Sequence, residues 1–221
     1  KTEDAASYSM QAEALAARIH ERFLNADGAT YVNREQPYLA MPLLFGVTPE
    51  DKRGAVMDAL RDAILVKQQG HLNTGMHGTY FMLRYLTDKD HNDLVYTIAS
   101  KRTYPSWGFM LQNGATTLWE EWNGDNAQIH DTLISVGMWF VQGLAGIQLD
   151  PAFPGFKHVF IRPALVGELT HVSGARETPF GRVESAWQRD GDQANYQVTV
   201  PANTTATVMI QGEDSSSIVL E

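Results

Sequence analysis

The sequence predicts an α+β chain of two domains, about six paired helices followed by a small antiparallel β-sandwich, and three observations carry that expectation. Apolar residues recur at spacings of three and four up to about residue 146. After Pro151 the period changes to two, with turn residues between the runs. The chain has 221 residues, 43% hydrophobic and 19% charged, enough to bury a sizeable core. The expected division is residues 1–150 for the helical part and 151–221 for the β part.

Each element has its own signal. Tyr8, Ala12, Leu15, Ile19 and Phe23 form one apolar stripe of a first helix facing a core, stopped near Asn25-Ala26-Asp27-Gly28. From Gln36 to Phe45, Tyr38, Leu39, Met41, Leu43 and Leu44 are apolar nearly all round, so a second helix should be buried, with Pro37 and Pro42 blurring its ends. Thr48-Pro49-Glu50-Asp51 offers an N-cap, a first-turn proline and two acids for a third helix running past Val56, Leu60 and Ile64. Gly75–Leu86 and Asp90–Ser100 read as a fourth and fifth helix separated by a capping Thr87, and Asp131–Gly146 as a very apolar sixth. In the β part, Lys157–Arg162 is followed by Gly181–Gln188, where Val183, Ser185 and Trp187 alternate with Arg182, Glu184 and Ala186. Asp190-Gly191 is a hairpin turn, Tyr196, Val198 and Val200 alternate, Pro201-Ala202-Asn203 turns the chain, and Ala206, Val208 and Ile210 alternate again. About six strands in two layers are expected. Apart from Ser215-Ser216-Ser217 there is no low-complexity stretch.

Charge and composition exclude several function classes. The net charge is −9, the pI is near 5.2, and the basic residues are scattered, so nucleic acid and anionic membranes are poor partners. With no cysteine there is no disulfide framework, thiolate metal site or cysteine nucleophile. No apolar run approaches the roughly 18–20 residues of a membrane span, and Lys1 reads as the start of a piece of something longer. The seven histidines are scattered without a His-Glu-x-x-His pattern, so neither a metal nor another cofactor is expected. Asn203-Thr204-Thr205 is a formal glycosylation acceptor of a kind common by chance. Compartment stays undecided.

The chemistry concentrates between the fifth and sixth helices. Residues 102–130 form a long connection holding three of the five tryptophans, and connections of that length are usually functional. Trp107, Trp119 and Trp122 supply flat apolar faces, Glu120 and Glu121 carboxylates, and Asn123, Asp125, Asn126 and His130 directional hydrogen bonds. A pyranose packs its C–H face on an indole and bonds its hydroxyls to such groups, and cleaving its glycosidic bond takes carboxyl groups. The plainer alternative is lid packing by the tryptophans and a solvated Glu-Glu pair. If Thr117–Trp122 is extended, Leu118, Glu120 and Trp122 share one face and Thr117, Trp119 and Glu121 the other, so only one glutamate can enter a given pocket. His71 and His77 flank the loop opening the fourth helix, where they either line a cleft or cap backbone groups.

These residues also carry a resemblance. Gly70-His71-Leu72-Asn73-Thr74-Gly75, Tyr104-Pro105-Ser106-Trp107-Gly108, Gly114-Ala115-Thr116-Thr117-Leu118-Trp119-Glu120-Glu121-Trp122, His130, Leu144-Ala145-Gly146-Ile147 and Pro154-Gly155-Phe156-Lys157 resemble the carboxyl-terminal part of glycoside hydrolase family 78, the α-L-rhamnosidases. The resemblance runs from about the first helix to the end of the chain, and Ala-Thr-Thr-Leu-Trp-Glu followed by a His and a β domain is its specific part. It implies half of an (α/α)6 barrel followed by a β-sandwich, inversion at the sugar, and a rhamnose-containing glycoside or polysaccharide as substrate. It also implies Glu120 as general base and His130 as a sugar contact. Trp107, Trp119 and Trp122 are then candidates for the sugar platform, Trp122 first because alternation sets it beside Glu120, with His71 a further candidate. Where the family often has Arg or Ser after the base, this chain has Glu121.

One departure is larger. The family's general acid lies in a motif of the form Asp…Glu-Arg-x-Gly-Trp-x-Gly-Asp, and nothing in residues 1–70 matches it. Six predicted helices are also half of the twelve a closed ring needs. The expectation is therefore half a barrel carrying the base without the acid, partnered by the upstream half of the same polypeptide and inactive alone. Its unpartnered apolar faces should be exposed, the sixth helix worst of all. A non-catalytic carbohydrate-binding or scaffold fragment, or an (α/α)6 glycosidase for another sugar, are the alternatives.

Overall fold

A computed structural model describes residues 1–131 and 133–210. Among them, seven α-helices precede six strands: α1 (Thr2–Phe23), α2 (Gln36–Leu44), α3 (Arg53–Asp62), α4 (Met76–Asp88), α5 (Asn92–Ala99), α6 (Trp107–Gln112) and α7 (Ser135–Trp139), then β1 (Ile147–Leu149), β2 (His158–Ile161), β3 (His171–Thr178), β4 (Gly181–Asp190), β5 (Gln193–Thr199) and β6 (Thr205–Val208). Two compact units result, one of residues 1–89 and 97–135, the other of 90–96 and 136–221. The serines at 215–217 and Thr132 lie outside the described residues.

In the first unit, α2 packs on α3 and α4. Leu39 and Ala40 of α2, Val56 and Leu60 of α3, Ile64 just after it, and Met82, Leu83 and Leu86 of α4 are at most 1% exposed. Each of these apart from Ala40 contributes about 1.5–3 kcal/mol of burial free energy. The third helix begins later than expected. Pro49 leads into a 3₁₀ turn at Glu50–Lys52, and Thr48 is no cap: it is buried and its hydroxyl accepts from the Tyr31 phenol at 3.2 Å. Thr87 also caps nothing, because it lies inside α4 and donates to the Leu83 carbonyl at 2.8 Å. A threonine hydroxyl can share the carbonyl four residues before it and so be satisfied without ending the helix.

The apolar stripe of α1 forms a helix, but it does not face a core. Among the described residues α1 buries none of its own, with Tyr8 71%, Leu15 54% and Phe23 44% exposed. On α2, likewise, only one side is buried, and Tyr38 stays exposed, as does Phe45 beyond the helix end. Ala12, Leu15, Ile19 and Phe23 with Tyr38, Met41 and Phe45 border an apolar groove of about 750 Å³. The predicted sixth helix is shorter than expected, Ser135–Trp139 followed by a π-helical turn at Phe140–Leu144. It is not the most exposed element: Val136, Trp139 and Leu144 are buried, and Phe140 faces out. By contrast, α1 buries no residue of its apolar stripe.

The second unit contains two three-stranded sheets, β1-β2-β6 and β3-β4-β5. Strands of both layers supply the core, with Ala145, Ile147, Val159, Ile161 and Val183 at its centre and Val172, Val198 and Ala206 against it. Alternation on β4 holds as expected, with Val183, Ser185 and Trp187 buried. The β4–β5 hairpin pairs Asp190 with Gln193, which moves the two-residue turn to Gly191-Asp192. Strand β6 runs parallel to β2, and β1 and β3 add strands for which no residues had been singled out.

Candidate active site

The stretch expected to be one long loop contains a helix. Ser106 accepts the Phe109 N–H at 2.9 Å and starts α6, whose first residue is Trp107. The indole N–H of Trp107 donates to the Leu133 carbonyl at 3.0 Å, and its ring meets that of Trp122 edge-on at 5.4 Å. At Gly108, α6 passes so close to the preceding chain that an added Cβ would stand 2.3 Å from the Lys101 carbonyl oxygen. The position of Trp107 is therefore tied to the backbone at Lys101 and Arg102.

After α6 the chain makes an irregular hairpin. The Glu120 N–H donates to Ala127 O at 2.9 Å and the His130 N–H to Leu118 O at 2.9 Å, so Glu120 and His130 lie on facing arms. The hydroxyl of Thr117 also donates to the Gln128 carbonyl. At the tip, Gly124 lies against the indole of Trp119. The chain bends at Glu120 and Glu121, which interrupts the expected two-residue alternation. Leu118, Glu120 and Trp122 are nevertheless all half-buried, while Glu121 is exposed.

The two carboxylates are placed differently. Glu120 Oε2 accepts the Ala127 N–H at 3.2 Å, which holds the group against its own hairpin, and Oε1 accepts no hydrogen bond among the described residues. Glu121 Oε1 is taken up by the Asn126 side-chain N–H at 2.7 Å. Asn123 and Asp125 bond one another at the tip, so the amides read as sugar contacts serve the loop itself. Residues 117–131 hold four carboxylates and no Lys or Arg, giving the region a negative field.

Of the aromatic candidates, Trp107 and Trp119 are buried, 8% and 6% exposed, and present no open face. Trp122 is half-buried with Trp107 at its back. His130 is half-buried, its Nδ1 3.4 Å from Asp131 Oδ1. His71 has both ring nitrogens occupied: Nδ1 donates to the Gln68 carbonyl at 3.0 Å and Nε2 pairs with the Thr103 hydroxyl at 2.7 Å. His77 stacks beside Phe81 on the exposed side of α4. Among the described residues no group of three or more His, Asp or Glu is arranged to hold a metal.

Sequence reasoning passed over Gln36. It is fully buried, its Nε2 donates to His71 O at 2.8 Å, and its Oε1 accepts the Asn73 N–H at 2.8 Å. The available signal was a lone amide at the head of an otherwise apolar helix, a position where a buried polar group must have partners.

Residues 1–144 match the bacterial alpha-L-rhamnosidase six-hairpin glycosidase domain, and residues 146–221 the bacterial alpha-L-rhamnosidase C-terminal domain. An alpha-L-rhamnosidase of Alteromonas sp. (strain LOR) is 32% identical over 92% of this chain and 23% of its own length. The solved alpha-L-rhamnosidase of Dictyoglumus thermophilum superposes with a TM-score of 0.87 at 30% identity, over 93% of this chain and 24% of that one. That of Streptomyces avermitilis, complexed with L-rhamnose, gives 0.87 at 31% identity, over 95% and 21%. The chain thus spans under a quarter of the length of these relatives. With matching family models across both its helical and its β part, the chain belongs to the bacterial α-L-rhamnosidase family.

Proposed function

We propose that the chain is the carboxyl-terminal part of an inverting glycoside hydrolase that releases terminal α-L-rhamnose from glycosides or polysaccharides, with Glu120 as general base. The observation that carries this is the setting of Glu120: half-buried, one oxygen held by the Ala127 N–H, the other without a hydrogen bond among the described residues, on a hairpin whose facing arm carries His130. An inverting base must stay ionised and hold a water on the face opposite the leaving group, about 6.5–9.5 Å from the acid. A carboxylate with one anchored and one available oxygen suits that task. Glu121, exposed and bonded to Asn126, does not.

In this reading Trp122 provides the sugar platform, Trp107 backs it from the interior, Trp119 holds the hairpin tip through Gly124, and His130 bonds a sugar hydroxyl. In the same reading residues 1–144 belong to the catalytic barrel and the strands from β1 onward to the accompanying sandwich. The acid comes from the upstream half of the same polypeptide, for which the apolar groove bordered by α1 and α2 is a suitable seat.

The test uses the full-length polypeptide with an aryl α-L-rhamnoside. Glu120→Gln should lower kcat by about 10²–10⁴-fold with little change in KM, and Glu121→Gln should stay within a few-fold of the parent. NMR of the first-formed sugar should show the inverted anomer. Near-normal turnover in Glu120→Gln, with the loss in Glu121→Gln, reverses the assignment.

A further inference from the structure

We infer that Gln36, His71 and Thr103 are positioning residues, a polar strut that sets the height of Trp107 and so of the Trp122 platform. The strut starts from the fully buried Gln36 at the head of α2, whose amide clips the backbone of His71 on one side and Asn73 on the other, at 2.8 Å each. Leu72 between them is 4% exposed, so the clipped segment is fixed on both its polar and its apolar side. His71 then reaches 32 residues along the chain to the Thr103 hydroxyl.

The chemistry of the ring defines the contact. A carbonyl only accepts, so Nδ1, facing Gln68 O at 3.0 Å, carries the proton. In the neutral ring Nε2 is then an acceptor, and Thr103 donates to it at 2.7 Å. Neither nitrogen is left for a sugar hydroxyl. The role this gives His71 is to hold Thr103, whose own segment lies under α6: the Lys101 carbonyl and the Arg102 Cα stand 2.3 and 2.9 Å from where a Gly108 Cβ would be. Backbone that close cannot shift without moving α6. Trp107 is the first residue of α6, and Trp122 rests against it.

This inference rests on the reading of Trp122 as part of a rhamnoside site. A side-chain hydrogen bond of this kind contributes about 0.5–1.5 kcal/mol, equivalent to roughly 2–12-fold in a binding constant. Thr103 is exposed, so its variants should fold. In the full-length polypeptide, Thr103→Val should raise KM for an aryl α-L-rhamnoside by about three- to tenfold, leave kcat nearly unchanged, and weaken binding of free L-rhamnose by the same factor. Thr103→Ser, which keeps the hydroxyl, should restore both values. His71→Asn, which keeps a donor near Gln68 O but cannot reach Thr103, should match Thr103→Val, and the double variant should be no worse than either. Unchanged KM in Thr103→Val, failure of Thr103→Ser to restore it, or fully additive losses in the double variant would each overturn the strut. Full activity in Glu120→Gln would instead refute the assignment of the site, whatever the Thr103 variants do.

Discussion

Replacing Gly124 by alanine should loosen the hairpin that carries Glu120 without unfolding the protein. Gly124 has a φ of +82° and lies on Trp119, so that an added Cβ would stand 2.9 Å from Cζ3, 3.1 Å from Cε3 and 3.3 Å from Cη2 of the indole. Two costs arise. The left-handed conformation costs a non-glycine residue about 1–2 kcal/mol. Carbon atoms prefer about 3.5–4.0 Å, so the ring must retreat by roughly half an ångström. Trp119, only 6% exposed, has little room to do so, and overpacking of this kind costs about 1–3 kcal/mol. Together they amount to about 2–5 kcal/mol. Gly114 is a control, since its φ is +83° and nothing stands within 4 Å of its added Cβ, so alanine there carries the conformational cost alone. Amide hydrogen exchange in the full-length polypeptide reads the difference. The N–H groups of Glu120 and His130 report on the hairpin, and that of Ala115, bonded to Met110 O at 3.0 Å, on the Gly114 turn. At about 1.4 kcal/mol per tenfold, the extra 1–3 kcal/mol means that Gly124→Ala should speed exchange in the hairpin by about five- to 140-fold more than Gly114→Ala speeds it in its own turn. Equal acceleration at the two sites would refute the idea that Trp119 holds the hairpin through Gly124.

Three further outcomes are expected. Trp187, 2% exposed, donates its indole N–H to the Leu144 carbonyl at 3.0 Å, so Trp187→Phe should cost the sandwich about 1–3 kcal/mol in urea unfolding; a loss below about 0.5 kcal/mol would contradict the role of this bond. The Asp27 carboxyl is held below its ordinary value of 3.8 by the Thr30 hydroxyl first, then by the Ala29 and Thr30 N–H groups and Arg34. Its folded pKa is depressed, so its contribution is present above that ordinary value and is lost as pH falls below it and through the folded pKa. The urea midpoint should therefore drop less between pH 5 and pH 2, by roughly that contribution, in Asp27→Asn than in the parent. Finally, the chain of residues 1–221 by itself should bind an apolar dye and self-associate through the groove bordered by α1 and α2, and Leu15→Lys should reduce both at least about twofold. An unchanged dye signal would place the exposed apolar surface elsewhere.

The legible part of the fold was the part whose evidence is local. Val56 and Leu60 on the third helix, Ile64 just after it, and Val183, Ser185 and Trp187 on β4 are periodic in sequence and buried in structure. Helix α6 was missed because six residues, Trp107–Gln112, make fewer than two turns, too few to establish a period; its one sequence signal is the capping Ser106. The stripe on α1 shows the opposite limit. Its spacing specifies a helix with an apolar face, but burial depends on what packs against that face, which no spacing within the helix encodes.

The candidate site divides along the same line. Its composition was readable, since tryptophans beside carboxylates in a long connection stand out in any chain. Which side chain faces where was not, because a strict alternation argument assumes an extended strand, and here the chain bends at Glu120 and Glu121 and returns through the tip at Gly124. Those bends separate the two glutamates: one oxygen of Glu120 is drawn back to the Ala127 N–H, and Glu121 is left at the rim with Asn126. Gln36 was the least legible, because an isolated glutamine has no pattern until its partners at 71 and 73 are known. A catalytic carboxylate announces itself by its chemistry, while a positioning residue is identifiable only by the backbone groups it holds. For that reason the hydroxyl of Thr103, an unremarkable residue in the sequence, is the sharper probe of this site than any of its tryptophans: its removal subtracts one hydrogen bond, whereas removal of Trp107 or Trp119 would collapse the wall and the hairpin together.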